Sequence, residues 1–227
     1  MKGKSLKLAD KITDSVRNDI LTCAFMPETK LKINELAKKY AVSLGAVREA
    51  LSSLSAEGLV LAIPQKGFVV APVSIDELVD LTKTRIEIEK LCIASSIKNS
   101  TLTWKSNMVA ALYLLRNVEQ YDTYNNVRVL SSEWSNAHEK YHEVLVSACD
   151  SQILLDIRAQ LYAKSERYRR LSVPLNKAKR DVAKEHESIG QAALDGDIDL
   201  CCSLIASHLR LTMDIVLSSE QPFEIEK

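Results

Sequence analysis

Residues 41–60 of the chain read AVSLGAVREALSSLSAEGLV, and this stretch decides the fold of the N-terminal third. Ser43 is of a residue type that caps helices, and apolar residues recur at helical spacing from Val47 to Leu54. Gly58 can adopt the left-handed conformation that ends helices. The sequence therefore predicts a helix that starts at Ser43 and ends just before Gly58.

The segments on both sides of this helix complete a recognisable pattern. Apolar residues every four positions predict a helix over residues 7–24, and a second, short helix fits residues 33–40. Two short apolar runs, 59–63 and 68–71, are separated by the turn-forming residues 64–67, which predicts a β-hairpin. Three helices followed by a hairpin, in this order, predict a winged helix-turn-helix.

A winged helix-turn-helix indicates DNA binding. The third helix has the length to enter a major groove by its N-terminal end, and Arg48 lies one turn into that helix. From there its guanidinium can reach a phosphate or a guanine edge. Lys66 and Gly67, at the hairpin tip, can reach the neighbouring phosphates or the minor groove. The alternative is a three-helix interaction module with an incidental hairpin.

The charge distribution agrees with DNA contact at the N-terminal end. Residues 1–73 carry eleven Lys and Arg against seven Asp and Glu, whereas residues 74–227 carry nineteen against 23. We predict that these two ranges are two domains. Ser74 and Glu77 form a capping box at the start of the second range, so the linker between the domains is short.

The second domain is predicted to be an all-α bundle of about six helices. The chain has only six Gly and five Pro, which favours long helices. Helical periodicity runs almost throughout and is interrupted at Asp150-Ser151, Pro174 and Gly196. The predicted helices are 75–98, 102–120, 125–149, 151–171, 175–195 and 198–218.

All four histidines of the chain fall on the apolar faces of these predicted helices. His138 and His142 are one turn apart on the third helix, His186 lies on the fifth and His208 on the sixth. A lone inward histidine is usually a hydrogen-bonded core residue, but four on three helices would leave several buried ring nitrogens to satisfy. Because neutral imidazole is the commonest metal ligand, we predict a metal site formed by these four side chains. An all-histidine set suits Zn²⁺ best and also admits Ni²⁺, Co²⁺ or Cu²⁺.

Several short motifs of the N-terminal third occur together. They are Leu36-Ala37, Val42-Ser43, Val47 to Leu51, Glu57 to Val60 and Lys66 to Val70. With these motifs the segment resembles the GntR family of bacterial transcription regulators. That family usually has Arg and Pro where this chain has Leu44 and Ala46, so we expect an operator that differs from the usual one.

This resemblance implies DNA contacts from the start of the third helix and from the tip of the wing. The residues that it implies are Ser43, Leu44, Gly45, Arg48, Lys66 and Gly67.

A second set of motifs lies in the helical domain. It comprises Arg85 to Glu89, His138 to His142, Glu185-His186, Gly196-Asp197 and Ser207 to Leu209. These motifs resemble the FCD effector domain of the FadR-type branch of the same family. Metal-binding members use an Asp and three His, and this chain has His138 at the position of the Asp. The resemblance implies a small carboxylate effector beside the ion, with short dicarboxylates favoured.

Arginines on two helices are predicted to complete an effector pocket. The resemblance implies that Arg85 clamps a carboxylate, although an ion pair with Glu89 is an equal alternative. Arg167 and Tyr168 belong to a cluster with Arg169 and Arg170 on the fourth helix. At least one member of that cluster should face inward, but a solvent-exposed face is the interpretation that we favour for the cluster as a whole.

Composition restricts the class of protein. The chain has an ordinary balance of hydrophobic and charged residues, 46% and 26%. Five Cys without a framework spacing predict reduced thiols in a cytoplasmic protein. No unbroken run of eighteen apolar residues occurs, so no membrane-spanning helix is expected.

These features lead to one functional prediction with two alternatives. We predict a cytoplasmic, homodimeric repressor that binds double-stranded operator DNA and responds to a small carboxylate at its metal site. One alternative is a metalloregulator for which the ion itself is the signal. The other is a helical metalloenzyme, which would leave the winged helix unexplained and which has no carboxylate clearly placed as a general base.

Overall fold

The computed structural model describes residues 2–21, 24–124, 127–175 and 180–219. The chain divides into two compact units, Met1–Ser74 and Ile75–Lys227. The first is a winged helix-turn-helix and the second is mainly helical, so the predicted fold class is confirmed.

In the part of the first unit that the structure describes there are three helices and a small sheet. Its elements are α1 (Lys2–Leu21), β1 (Lys30–Leu31), α2 (Ile33–Lys39), α3 (Leu44–Ala56), β2 (Val60–Ile63) and β3 (Gly67–Val70). The hydroxyl of Ser43 accepts a hydrogen bond from the backbone N–H of Ala46 at 3.2 Å and caps α3, as the sequence predicts. Val47 and Leu51 are completely buried and form part of the core of this unit.

The sheet of the first unit has one strand more than the predicted hairpin. β3 lies in the centre and pairs antiparallel with both β1 and β2. The strand β1 has two residues, which is too short to produce a periodic pattern in the sequence. α1 covers Lys2–Leu21 instead of the predicted 7–24.

The described residues of the second unit form six helices and one hairpin. Its elements are α4 (Ile75–Lys98), α5 (Leu102–Asn117), β4 (Tyr121–Tyr124), β5 (Val127–Leu130), α6 (Ser132–Val146), α7 (Gln152–Leu175), α8 (Val182–Asp195) and α9 (Ile198–Leu217). The six helices agree in number and order with the prediction. The core is formed mainly by buried side chains of α4, α5, α6, α8 and α9.

Several predicted helix boundaries of the second unit are wrong. The predicted helix 125–149 begins at Ser132, because the preceding residues form β4 and β5, which pair antiparallel. Tyr, Thr and Val are frequent in these two strands and favour extended backbone. The predicted helices 151–171 and 175–195 are wrong at the ends that face each other, since α7 continues to Leu175 and α8 begins at Val182. A proline in the last turn of a helix removes a single hydrogen bond there.

Within the described part of the chain, α9 is long and apolar enough to cross a membrane by length and composition. This helix has no unbroken run of eighteen apolar residues, because Asp199, His208 and Arg210 interrupt it. The helix packs against α4, α7 and α8, as the core helix of a soluble protein does, so this finding is weak evidence for a membrane span.

Candidate functional site

The four histidines meet in the interior of the helical unit. α6 contributes His138 and His142, α8 contributes His186 and α9 contributes His208. One ring nitrogen of each lies within 4.8 Å of those of the others. All four side chains are buried, and His142 is completely inaccessible to solvent.

Helix caps and the turn between α8 and α9 set the positions of His186 and His208 along their helices. Asp181 caps α8 by accepting a hydrogen bond from the N–H of Lys184, and Asp197 caps α9 in the same way. Gly196, with a φ of 80°, makes the left-handed turn between the two helices. His186 and His208 lie ten residues before and twelve residues after this glycine, so an antiparallel helix pair brings them together.

Hydrogen bonds determine which nitrogen of two of the rings carries the proton. His186 Nδ1 lies 2.7 Å from the carbonyl oxygen of Val182, and because a carbonyl can only accept, Nδ1 carries the proton. His208 Nδ1 lies 2.7 Å from the Glu185 carboxylate and donates to it in the same way. In both rings Nε2 is therefore left with a lone pair, which is the form that binds metal.

The Nε2 atom of His142 contacts the Nε2 atoms of two other histidines. His142 Nε2 lies 3.2 Å from His138 Nε2 and 3.2 Å from His186 Nε2. One proton between these atoms cannot satisfy both contacts, and His142 Nδ1 is buried with no hydrogen-bond partner among the described residues. With Zn–N bonds of about 2.0–2.1 Å, two ligands of one tetrahedral ion lie about 3.3 Å apart. The Nε2 spacing, together with two contacts that one proton cannot satisfy, fits a shared ion.

The electrostatic environment favours neutral imidazoles. Burial lowers the pKa of His138, His142 and His186 well below the usual value, and nearby cationic groups add to the effect. Burial lowers the pKa of His208 too, although its hydrogen bond to Glu185 opposes this shift. Deprotonated imidazole is the form that a metal ion requires, so the cluster is prepared for one at neutral pH.

Two small cavities of about 30 and about 40 Å³ flank the histidine cluster in the described part of the chain. The side chains of His138, Arg169, His208 and Thr212 line both. Each cavity has room for about one water molecule, so a carboxylate would have to enlarge it on binding. Arg85 and Tyr168 line the first cavity.

Two buried ion-pair groups border the first cavity. Glu89 is completely buried between Arg158, 2.9 Å away, and Arg85, 3.3 Å away. The ion pair that was the alternative role for Arg85 is therefore present, and Arg85 also lines the cavity. On α7, Glu166 accepts hydrogen bonds from both Arg169 and Arg170.

The interpretation of the α7 arginine cluster as a solvent-exposed face is wrong. Arg167 is 4% exposed and Tyr168 is 3% exposed, and the flanking arginines are largely buried. Tyr168 donates a hydrogen bond to Glu77 at 2.6 Å. Arg169, and not Arg167, lines the two cavities. Side chains two residues apart on a helix point in nearly opposite directions.

The predicted DNA-contacting residues lie on the surface of the first unit. Leu44 is 44% exposed, and Ser43, Gly45 and Arg48 are exposed beside it at the start of α3. A Cβ added to Gly45 would meet just the Ser43 hydroxyl, at 3.9 Å, so a DNA backbone could approach closely. Lys66 and Gly67 are exposed at the turn between β2 and β3.

Sequence reasoning gave no role to Tyr162, Arg180 or Glu185, although Glu185 stands in one of the family motifs. It also did not choose Arg169 from the α7 cluster. Arg180 donates to the Glu185 carboxylate at 2.7 Å, and these hydrogen bonds lower the pKa of Glu185 to about 2 although burial opposes the shift. Arg158, Tyr162, Glu166 and Arg169 recur at helical spacing on α7, and this polar stripe on an inward face was the signal available.

Comparisons with known proteins agree with this architecture. A family model described as bacterial regulatory proteins, gntR family, matches residues 8–70, and the FCD domain model matches residues 80–211. The HTH-type transcriptional regulator BphR of Paraburkholderia xenovorans is 34% identical over 88% of this chain and 82% of its own length. The HTH-type transcriptional repressor GlaR of Escherichia coli is 32% identical over 88% of this chain and 92% of its own length.

A solved structure supports the same fold. E. coli McbR/YncC superposes with a TM-score of 0.71, covering 92% of this chain and 96% of that one, at 19% sequence identity. At this identity the likeness establishes the architecture of the chain.

Proposed function

The chain belongs to the GntR family of bacterial regulatory proteins and carries an FCD domain, and from this premise we propose that it is a metal-dependent, carboxylate-responsive repressor. Both matched domains and both relatives belong to transcription regulators, so the chain is a DNA-binding transcriptional regulator and not an enzyme. The relative named as a repressor supports repression as the direction of control.

The observation that carries the metal part of the proposal is the contact of His142 Nε2 with both His138 Nε2 and His186 Nε2, which one proton cannot satisfy. His138, His142, His186 and His208 would hold the ion, most suitably Zn²⁺, with Ni²⁺ as the second choice. A dication among neutral imidazoles keeps its charge and attracts an anion to the adjoining cavities.

Charge supports a dicarboxylate as the effector. Glu89 faces two guanidinium groups, those of Arg85 and Arg158, and Glu166 likewise faces Arg169 and Arg170. The Glu89 group therefore has one positive charge in excess of its carboxylate, whereas in the Glu166 group Glu139 also interacts with Arg169. We propose that Arg85 and Arg169 contact an effector with two negative charges, with Tyr168 beside them. The sequence-based choice of Arg167 is less well supported, since Arg169 lines the cavities.

The remaining steps follow from how helix-turn-helix proteins bind DNA. We propose a cytoplasmic homodimer whose two recognition helices enter successive major grooves of an operator. Effector binding enlarges the cavities beside the ion, and the resulting movement of the helices changes the spacing of the two DNA-binding units. Because the half-sites have a fixed separation, a small change in spacing lowers operator affinity.

A mobility-shift assay on the promoter of the chain's own operon tests this proposal. The Zn²⁺-loaded protein should bind without an effector and should be released by succinate, but not by butyrate, which has the same carbon chain and one charge fewer. Absence of a shift under every condition would contradict the proposal. Release by chelator alone, with no response to any acid, would favour the metalloregulator.

Arg48→Ala is expected to weaken operator binding by roughly tenfold, because a base-edge or phosphate contact contributes about 1–3 kcal/mol. Fluorescence anisotropy over a salt series measures the affinity and, if the contact is to a phosphate, a salt slope smaller by about one. The control is Arg116→Ala, which removes an exposed arginine of the second unit. Equal affinities for both variants would show that Arg48 makes no DNA contact.

Arg169→Gln is expected to weaken succinate binding at least about tenfold while effector-free operator affinity stays unchanged, since a charged hydrogen bond to a carboxylate contributes about 1.5–3 kcal/mol. Isothermal titration of succinate into the Zn²⁺-loaded protein measures this. Arg170→Gln is the matched control, because Arg170 shares Glu166 but is not among the described residues that line the two cavities. The assignment fails if the two variants lose the same affinity.

A further inference from the structure

Tyr162 on α7 contacts the histidine that replaces the aspartate usual at this position. Its phenolic oxygen lies 3.1 Å from His138 Nδ1, and the contact is buried. The contact joins α6 to α7, across 24 residues of sequence. No sequence motif pointed to it.

The tautomer of His138 decides whether this residue can be a metal ligand. Its Nε2 faces the cluster, 3.2 Å from His142 Nε2, and can bind an ion only when the ring proton is on Nδ1. The Tyr162 oxygen can accept a hydrogen bond from that proton. Without such an acceptor, the tautomer with its proton on Nε2 would be at least as stable, because His142 Nε2 can accept a hydrogen bond from that proton.

The ring of Tyr162 is held in place from several sides. The guanidinium carbon of Arg85 lies 4.9 Å from the ring centre, and that of Arg158 lies 5.5 Å away. Both arginines are held by the completely buried Glu89. In addition, Ser165 accepts a hydrogen bond from Arg85 and donates one to the Tyr162 carbonyl. The phenol is therefore pre-organised toward His138.

His138 has further contacts that a substitution must leave intact. Trp134 stacks on its ring with 4.7 Å between the ring centres, and the guanidinium carbon of Arg169 lies 5.3 Å from the Trp134 ring centre. These contacts orient the plane of the His138 ring, but stacking does not choose between its two nitrogens. Because the Tyr162 hydroxyl can either accept from Nδ1 or donate to it, the tautomer depends on the direction of this hydrogen bond.

We propose that Tyr162 is a positioning residue that makes His138 a metal ligand by accepting the Nδ1 proton. The inference rests on the metal-binding part of the proposed function. This role explains how the chain can use His138 where an acidic ligand is usual. A carboxylate has no tautomers, whereas an imidazole binds metal through Nε2 only when its proton is on Nδ1. Loss of an outer hydrogen bond of this kind typically lowers metal affinity about 10–100-fold.

The test is a double-mutant cycle on the purified full-length protein, with Tyr162→Phe, His138→Ala and the double variant. Zn²⁺ affinity is measured by competition with a chromophoric chelator, and Co²⁺ loading reports ligand number through its visible absorption. Tyr162→Phe should weaken Zn²⁺ binding at least about tenfold in the wild-type background. In the His138→Ala background the same change should alter affinity less than about twofold, because Tyr162 acts through His138. Tyr113→Phe, at an exposed tyrosine of α5, is the control.

The outcomes separate this inference from the proposed function. If the wild type binds no Zn²⁺, the metal site itself is wrong. If the wild type binds Zn²⁺ and Tyr162→Phe binds it equally well, or is weakened equally in both backgrounds, the positioning role is overturned. Should Tyr162→Phe not fold, nitrogen NMR of the metal-free wild type decides: His138 with its proton on Nδ1 supports the inference, and a proton on Nε2 overturns it.

Discussion

Replacement of His142 by alanine is expected to abolish specific metal binding by the helical unit. His142 has the central place in the cluster, since its Nε2 contacts both His138 and His186. The Zn²⁺ content should fall from one ion per chain to nearly none. The stabilisation by Zn²⁺, about 2.7 kcal/mol at a concentration of 100 times Kd for the wild type, should disappear. Elemental analysis after dialysis and thermal melts with and without Zn²⁺ measure both effects.

The control for this experiment is Leu145→Ala, at a completely buried residue one turn further along α6. This change leaves a cavity and should lower the free energy of unfolding by about 2–5 kcal/mol, yet Zn²⁺ should still bind. The pair therefore separates loss of a ligand from loss of packing. A His142→Ala protein that keeps one tightly bound ion would contradict the proposed ligand set.

Glu89→Gln is expected to lower the free energy of unfolding of the second unit by about 3–5 kcal/mol, because it leaves two buried guanidinium groups without a countercharge. Glu89 is completely buried and bonded to Arg85 and Arg158, so solvent cannot replace the lost charge. The melting temperature should fall by roughly 10 °C. Urea denaturation followed by circular dichroism measures the change.

An exposed ion pair on the same helix provides the comparison. Glu87 is 71% exposed at its side chain and lies 3.1 Å from Lys90. Glu87→Gln should change the free energy of unfolding by less than about 0.5 kcal/mol, since water screens this pair. If Glu89→Gln is as mild as Glu87→Gln, the two buried arginines have another countercharge, and the charge argument for a dianionic effector weakens with it.

Much of the architecture could be predicted because it depends on local signals. The helix that starts after Ser43 and the one from Ile75 to Lys98 were predicted from caps and apolar periodicity, and both agree with the structure. The same periodicity placed all four histidines on buried faces. The strands β4 and β5 were not predicted, because segments of four residues give a weak periodic signal. The predicted helix 125–149 was instead drawn over part of them.

The sequence by itself determined the two domain types, the order of the helices and the inward direction of the histidines, since each depends on residues within one or two turns. The tertiary structure alone decided which side chains meet across the core. Glu89 and Arg158 are 69 residues apart, and Tyr162 and His138 are 24 apart. Such pairs depend on how helices cross and on which rotamer fits, which periodicity does not specify. Arg169 replaced Arg167 as the cavity-lining residue for the same reason: the crossing of α7 decides which of two nearby arginines faces the ion site.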